Sequence, residues 1–514
     1  MLGFLTLQIV TMALPPATSK ALNIIPLPVS VTKTAGIFKL TDKSNIYFSG
    51  ELAEIQQIGK YLADKLNPAT GFAMAVKSFE GEPSAGNIYL SLSSGDTPLG
   101  EEGYQLTITN EIINLVANKP AGLFNGIQTL RQLFPAGIEM KSVQQGPWQI
   151  PAVTIRDYPE YPFRGVMLDV ARHFIQVVDV KRTIDLMAAY KMNVLHLHLS
   201  DDQGWRIEIK KWPKLTEIGG STQVGGGKGG FYTQEQYAEL VKYAAERNIM
   251  IIPEIDMPGH TNSALASYPQ LNCNDTATEL YTGTKVGFST LCTSKEITYQ
   301  FIADVFSELA ALTPGPYLHI GGDESHVTKL EDYIPFMNRV QSIVNALGKQ
   351  VIGWDEIALS TLKPNSAVQY WAKAENALKG VKQGAKVIIS PAAKAYLDMQ
   401  YNSASKLGLH WAGYVEVDTG YNWDPAKLVP GIGRENILGI EAPLWTETVT
   451  NMAEIEYMVF PRMPGYAEIG WTAPDMRKWE EYKTRLAAHG ERFKALKIDF
   501  YPSKLVPWTG VDSK

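Results

Sequence analysis

Two acids stand side by side in LHIGGDESH, residues 318–326: Asp323 and Glu324, behind a short apolar run and two glycines. Carboxylates are common general acids and bases. Adjacent residues of an extended chain point to opposite faces. The two therefore serve one site only if they address different atoms. Other acids follow other apolar runs: Asp169 in RGVMLDV, Asp201 and Asp202 after NVLHLHLS, Glu254 and Asp256 in IMIIPEID, Asp398 beyond KVIISPA, and Glu447 after ILGIEAPLW. Arg172, His260 and Tyr396 lie close behind such runs, and Trp354, Trp371 and Trp445 end three of them. Caps and solvated charges explain some of these positions, but caps do not require large aromatics. Rings, acids and one guanidinium suit a neutral polyhydroxylated ligand, whose C–H faces stack while its hydroxyls are hydrogen-bonded. A sugar is the natural inference.

The elements that must position these residues are legible as a rhythm. Apolar strand candidates recur as RGVMLDV, NVLHLHLS, IMIIPEID, PYLHIGGDE, QVIGWDE, AVQYWA, KVIISPA and ILGIEAPLW, with helical stretches between most of them. Eight such units over residues 156–514 predict a (β/α)8 TIM barrel, whose parallel strands are buried on both faces. Its active site belongs at the C-terminal strand ends, where the residues above fall. Thr233 to Gln236 and Thr293 to Glu296 have the spacing of capping boxes that open helices. Residues 21–155 mix signals: a helix in AEIQQIGKYLADKL, a hairpin in YQLTITNEIINLVA and a second helix in GLFNGIQTLRQLF. They predict a smaller α+β domain, ended by the turn-rich TIRDYPEYP. The tract GGGKGG matches a dinucleotide fingerprint by spacing, but no clear strand leads into it, and it reads as a flexible loop. His196 and His198 share one face of a strand, a pattern also found in metal-dependent amidohydrolases. No later histidines complete a ligand set, so interior packing and hydrogen bonding to site-supporting groups are the expectation, with no metal and no cofactor.

The chain of 514 residues is 45% hydrophobic and 19% charged, enough for a large core. Its net charge of −6 and lack of dense basic runs argue against nucleic acid or anionic membranes as partners. Residues 1–20 begin MLGFLTLQIVTMALPPA, apolar, uncharged and too short to span a bilayer. They read as a signal peptide without the usual basic leader, so export to the periplasm or medium is expected. A disordered or wrongly chosen start is the alternative. Cys273 and Cys292 are the only cysteines, too few for a metal cage; a bridge and two buried thiols both fit their spacing.

Taken in order, RGVMLDVARHF, HLHLSDDQGWR, PEIDMPGHT, HIGGDE and EAPLWTET resemble the successive motifs of the β-N-acetylhexosaminidases of glycoside hydrolase family 20. The preceding α+β region also resembles that family's accessory domain. The resemblance implies an exo-acting enzyme that removes terminal β-linked GlcNAc or GalNAc from small or oligosaccharide substrates. It also implies a Cys273–Cys292 disulfide, as bacterial members can carry.

It further implies substrate-assisted retention, an exception to the two-carboxylate scheme of glycosidases. The substrate's own 2-acetamido oxygen attacks the anomeric carbon and closes an oxazolinium-type ring. Glu324 would protonate the leaving oxygen and later activate water, while Asp323 would hold the acetamido N–H and stabilise the growing positive charge. Tyr396 matches the tyrosine that holds the acetamide oxygen, and Trp354, Trp371 and Trp445 match the box around the acetamide methyl and sugar face. Arg172, Glu447 and Asp398 match binders of ring hydroxyls, Trp411 would stack on the next sugar, and Asp201 with His260 resembles the pair that supports the acid. Two rivals remain open on sequence: a zinc amidohydrolase, and a sugar-binding barrel without catalysis.

Overall fold

The computed structural model describes residues 22–50, 53–93 and 95–510. The expected leader at 1–20 lies outside the described residues. Seven strands form the first sheet: β1 Ser30–Lys39, β2 Ile46–Ser49, β3 Val76–Ser78, β4 Ile88–Leu92, β5 Tyr104–Ile108, β6 Ile113–Ala117 and β7 Gln149–Asp157. Their order is β1-β7-β5-β6-β4-β2-β3. The hairpin read in YQLTITNEIINLVA is β5 and β6, antiparallel from Tyr104 opposite Ala117 to Ile108 opposite Ile113. Its period of two is visible in burial: Tyr104, Leu106 and Ile108 are buried, whereas Gln105 is exposed. The two helices expected from sequence are Ala53–Thr70 and Pro120–Leu133, and they pack on each other and on this sheet.

The second sheet closes on itself. Its strands are β8 Phe163–Asp169, β9 Val194–His198, β12 Met250–Glu254, β13 Tyr317–His319, β14 Gln350–Trp354, β15 Ala367–Tyr370, β16 Lys386–Ile389 and β17 Ile437–Leu444. A two-residue pair, β10 Ser200–Asp201 and β11 Gly204–Trp205, stands above β9. All eight apolar runs became barrel strands, and β17 closes the ring by pairing in parallel with β8, from Gly439 opposite Phe163 to Leu444 opposite Leu168. Gly439 is required there, because a Cβ on it would lie 1.8 Å from the Phe163 carbonyl oxygen. β8 and β17 are buried almost throughout, as strands covered on both faces must be.

Of the ion pairs that join the accessory domain to the barrel among the described residues, Asp157–Lys191 is completely buried. Asp157, at the end of β7, lies 2.9 Å from Lys191 Nζ and accepts hydrogen bonds from Tyr104 Oη and from Trp471 Nε1 in the barrel's C-terminal region. The Lys191 ammonium sits 4.5 Å above the Trp471 ring. Removing one member of such a buried pair strands a charge and typically costs about 3–5 kcal/mol. The accessory sheet is thereby seated firmly against the barrel.

Local expectations fared unevenly. Thr233 caps the helix Gln234–Ala245 in a full capping box with Gln236. The box expected at Thr293 and Glu296 is not formed: the helix Glu296–Leu312 starts after Lys295, with no side-chain cap. Glu296 instead spends its carboxylate on Arg339, 43 residues away. The glycine tract is a loop, but not a free one. Arg206 donates to the carbonyls of Gly230 at 3.1 Å and Thr222 at 2.8 Å, and Gly225 N–H donates to the Thr282 carbonyl. Among the described residues, no helix is long and apolar enough to cross a membrane.

Candidate active site

The question posed by Asp323 and Glu324 is answered by the backbone between β13 and its helix. β13 ends at His319, and the next five residues form no strand. Gly321, Gly322 and Glu324 all have positive φ, at 61°, 108° and 43°. Only glycine takes such angles freely, and a Cβ on Gly321 would lie 1.7 Å from Asp256 Oδ1. The turn separates the two neighbours by depth. The Asp323 side chain is 9% exposed and faces inward, whereas that of Glu324 is 26% exposed at the mouth.

His260 Nε2 lies between them, 3.7 Å from Asp323 Oδ2 and 3.5 Å from Glu324 Oε2. The other ring nitrogen, Nδ1, is 3.2 Å from Asp201 Oδ1. Asp201 in turn meets Arg172 Nη2 at 2.7 Å and His198 Nε2 at 2.9 Å. Burial opposes charge in this cluster, yet Arg172 and His260 hold the Asp201 carboxyl well below its usual range, and Asp201 and Asp323 hold His260 well above its own. Burial and the nearby Asp256 push Asp323 well up. Burial would also raise Glu324, but the His260 imidazole beside it brings it below the usual carboxylate range. The predicted support pair, Asp201 and His260, is thus joined to both acids.

Behind Asp323 stands the aromatic box. Trp354, Tyr396 and Trp445 share one apolar cluster with Trp371 packed on it. Trp354 and Trp445 have ring centroids 5.7 Å apart, and Trp371 stacks on Tyr396 at 6.5 Å. Trp411 meets Tyr396 edge-on at 6.0 Å and is 57% exposed, as a platform for an outer ring would be. Asp323 is close enough for its charge to raise the Tyr396 phenol further, on top of burial, which keeps the hydroxyl protonated as a donor. Arg172 lies over Trp445 at 4.6 Å, and its Nε is buried with no partner among the described residues. Both oxygens of Asp398 are likewise buried and unpartnered. Burial and the neighbouring Glu447 push Asp398 well up. Such orphan groups are expensive unless a ligand meets them. All the residues singled out for substrate come together here.

Sequence reading gave Glu254, Glu356 and Glu441 no role, and expected His196 and His198 to pack and hydrogen-bond in the interior. Glu254 accepts from Trp354 Nε1 at 2.8 Å and from His198 Nδ1 at 2.5 Å, and His196 Nε2 lies 3.0 Å away. His196 Nδ1 bonds Glu441 at 2.9 Å. Although burial disfavours charge, these carboxylates hold His198 up at about 10 and His196 at about 9. Both nitrogens of each ring face carboxylate oxygens. Glu356 accepts from Trp371 Nε1 at 3.0 Å, and so holds another wall of the box. The available signal was the period of two along β9, which sends His196 and His198 to one interior face. Asp201 and Glu254 were marked as acids behind apolar runs, whereas the pairing with Glu441, on β17, has no local mark.

The chain matches the family model described as Glycosyl hydrolase family 20, catalytic domain, over residues 161–474. It matches Glycosyl hydrolase family 20, domain 2, over residues 21–158. It is 40% identical over 494 residues to a Beta-N-acetylhexosaminidase of Cellulomonas fimi, covering 95% of this chain and 98% of that one. The structure of a GH20 beta-N-acetylhexosaminidase from Streptomyces coelicolor A3(2) is similar with a TM-score of 0.92 and 49% identity, over 95% of this chain and 99% of that one. A mutant beta-hexosaminidase of Streptomyces plicatus in complex with its product GlcNAc gives the same TM-score of 0.92 and 49% identity, over 96% and 99% of the two chains.

Proposed function

Because this chain belongs to glycosyl hydrolase family 20, we infer that it is an exo-acting, retaining β-N-acetylhexosaminidase that removes terminal β-linked GlcNAc or GalNAc through an oxazolinium intermediate. The observation that carries the mechanism is the depth difference between the two neighbouring acids. Asp323 is the buried acid, near enough for its charge to reach Tyr396 of the aromatic box, where an acetamido group would sit, and Glu324 is the more exposed one, suited to a departing group. Two carboxylates held by one turn do not flank a glycosidic bond from opposite faces, as a two-carboxylate mechanism requires. They fit a reaction in which the substrate supplies the nucleophile. Asp323 then accepts from the acetamido N–H, Tyr396 donates to its oxygen, and the tryptophans exclude water around its methyl. Holding the oxygen in attack geometry in this way can remove several kcal/mol of barrier. Glu324 gives its proton to the leaving oxygen and takes one from the incoming water.

A panel of aryl β-GlcNAc, β-GalNAc and β-glucose tests this reading. The first two should turn over and the third should be nearly inert, because a hydroxyl at C2 cannot close the ring; brisk cleavage of the β-glucoside would refute it. A thiazoline analogue of the cyclised intermediate should inhibit competitively.

We also propose that the protein works outside the cytoplasm. Cys273 and Cys292 are joined by a disulfide, a bond that persists in oxidising compartments. The apolar stretch at residues 1–20 supports the same reading. Enzyme recovered from periplasm or medium should carry the bond and lack that stretch; a full-length, reduced chain confined to the cytoplasm would overturn it.

A further inference from the structure

Three of the substrate residues, Tyr396, Asp398 and Trp411, sit on one long connection after β16. That connection has little regular structure of its own, and a catalytic group misplaced by about 1 Å can cost 10²-fold in rate. Its backbone must be held by something. One edge is closed by the chain itself: Leu409 N–H donates to the Asp398 carbonyl at 2.9 Å, and Gln400 N–H to the Leu409 carbonyl at 2.7 Å. The other edge is held by a side chain from a distant helix, Arg462–Trp471. Arg462 Nη2 donates to the Leu397 carbonyl at 2.6 Å, and Nη1 to the Met399 carbonyl at 2.8 Å, so the guanidinium grips the residues on either side of Asp398. Nη1 also reaches the Val415 carbonyl at 2.9 Å, at the far leg beyond Trp411. A fourth bond, Nη2 to the Met458 carbonyl at 2.8 Å, ties the group to its own side of the fold. The Tyr401 ring covers the guanidinium at 3.9 Å.

Arg462 is only 2% exposed, and these partners are carbonyl oxygens rather than acids. A buried cation is tolerated where hydrogen bonds replace its water. A planar fork is needed to reach both legs of the loop at once, which a lysine's single nitrogen cannot copy.

We propose that Arg462 is a positioning residue for hydrolysis, fixing the segment Tyr396–Trp411 so that Asp398 and Tyr396 meet the sugar together. The proposal rests on the hexosaminidase reading above. It assigns Arg462 no contact with substrate; it acts through Leu397, Met399 and Val415.

The test is a double-mutant cycle between Arg462→Lys and Asp398→Asn on an aryl β-GlcNAc, with active sites titrated by the thiazoline. Wild-type turnover comes first, because its absence would sink the parent reading and not this one. Arg462→Lys is expected to lower kcat per titrated site by about tenfold or more. The factor lost on Asp398→Asn should be several-fold smaller in the Arg462→Lys background than in wild type, since the carboxylate is already misplaced. The dependence of rate on leaving group, which reports Glu324, should stay as in wild type. A support role confined to stability would lower Tm while leaving kcat per site unchanged and the two factors multiplicative, and that result overturns the proposal. If Arg462→Lys does not fold, Tyr401→Leu removes the ring beneath the guanidinium and keeps its donors. It should give the same pattern in weaker form, and unchanged kcat with an unchanged Asp398→Asn factor would equally overturn the proposal.

Discussion

Glu324→Gln is expected to lower kcat/KM by about 10²–10⁴-fold for sugar or alkyl leaving groups, while activated aryl substrates stay within about tenfold of wild type. The amide keeps the size of the acid and has no proton to give. A poor leaving group needs that proton as its bond breaks; an acidic phenol leaves without it. kcat/KM isolates the step up to ring closure, so the later role of Glu324 as base does not blur the comparison. The geometry supports the asymmetry. Glu324 stands at the mouth in a left-handed turn, and its carboxylate faces His260 Nε2 at 3.5 Å. In the free protein burial would raise Glu324, but that imidazole holds it below the usual carboxylate range. Equal losses on both substrate classes would remove Glu324 from the acid role.

The parts of this site that were legible in sequence are those set by local pattern. Barrel strands buried on both sides read as apolar runs, and in a parallel barrel one polar residue past each run is already at the active face. That is how Arg172, Trp354, Trp371, Trp445 and Glu447 were placed. The tight turn at Gly321 and Gly322 was visible as two glycines, but the positive φ of Glu324 was not, nor was the crowding of those glycines by Asp256, Ile357 and Tyr333 from other elements. Glu254 was seen at a strand end without a role, since its partners Trp354 and His198 lie 100 and 56 residues away. Arg462 was invisible for the same reason, being 65 residues from the carbonyl of Leu397. Thr293 shows the converse failure. Its spacing to Glu296 fits a capping box, but the helix starts after Lys295, and the Glu296 carboxylate pairs with Arg339.

Asp323→Asn should cut kcat/KM on every substrate, activated aryl glycosides included, by about 10²–10³-fold, the size of effect seen when a group aimed at transition-state charge is removed. Ring closure is the displacement itself, the acetamido oxygen bonding to the anomeric carbon as the leaving-group bond breaks, so a good leaving group does not replace the attack that Asp323 supports. The same substitution should make the protein more stable at neutral pH. Burial and Asp256 hold the Asp323 pKa well above that of an exposed carboxyl, so the folded protein binds the Asp323 proton more tightly than the unfolded chain does. Stability from this group is complete below the unfolded value, near about 3.9, and is lost as pH rises through the raised folded value. Asparagine carries no charge to bury, so the variant escapes that loss. Its Tm should exceed wild type at pH 7, and the excess should shrink towards pH 4. Aspartate is thus kept at a cost in stability because, in the reacting complex, its anion can hold the acetamido N–H while positive charge grows beside it. Kinetics on an activated aryl β-GlcNAc and paired melting curves across pH measure both halves. An unimpaired rate would remove Asp323 from ring closure, and a Tm difference that ignores pH would show that its charge is not what the fold tolerates there.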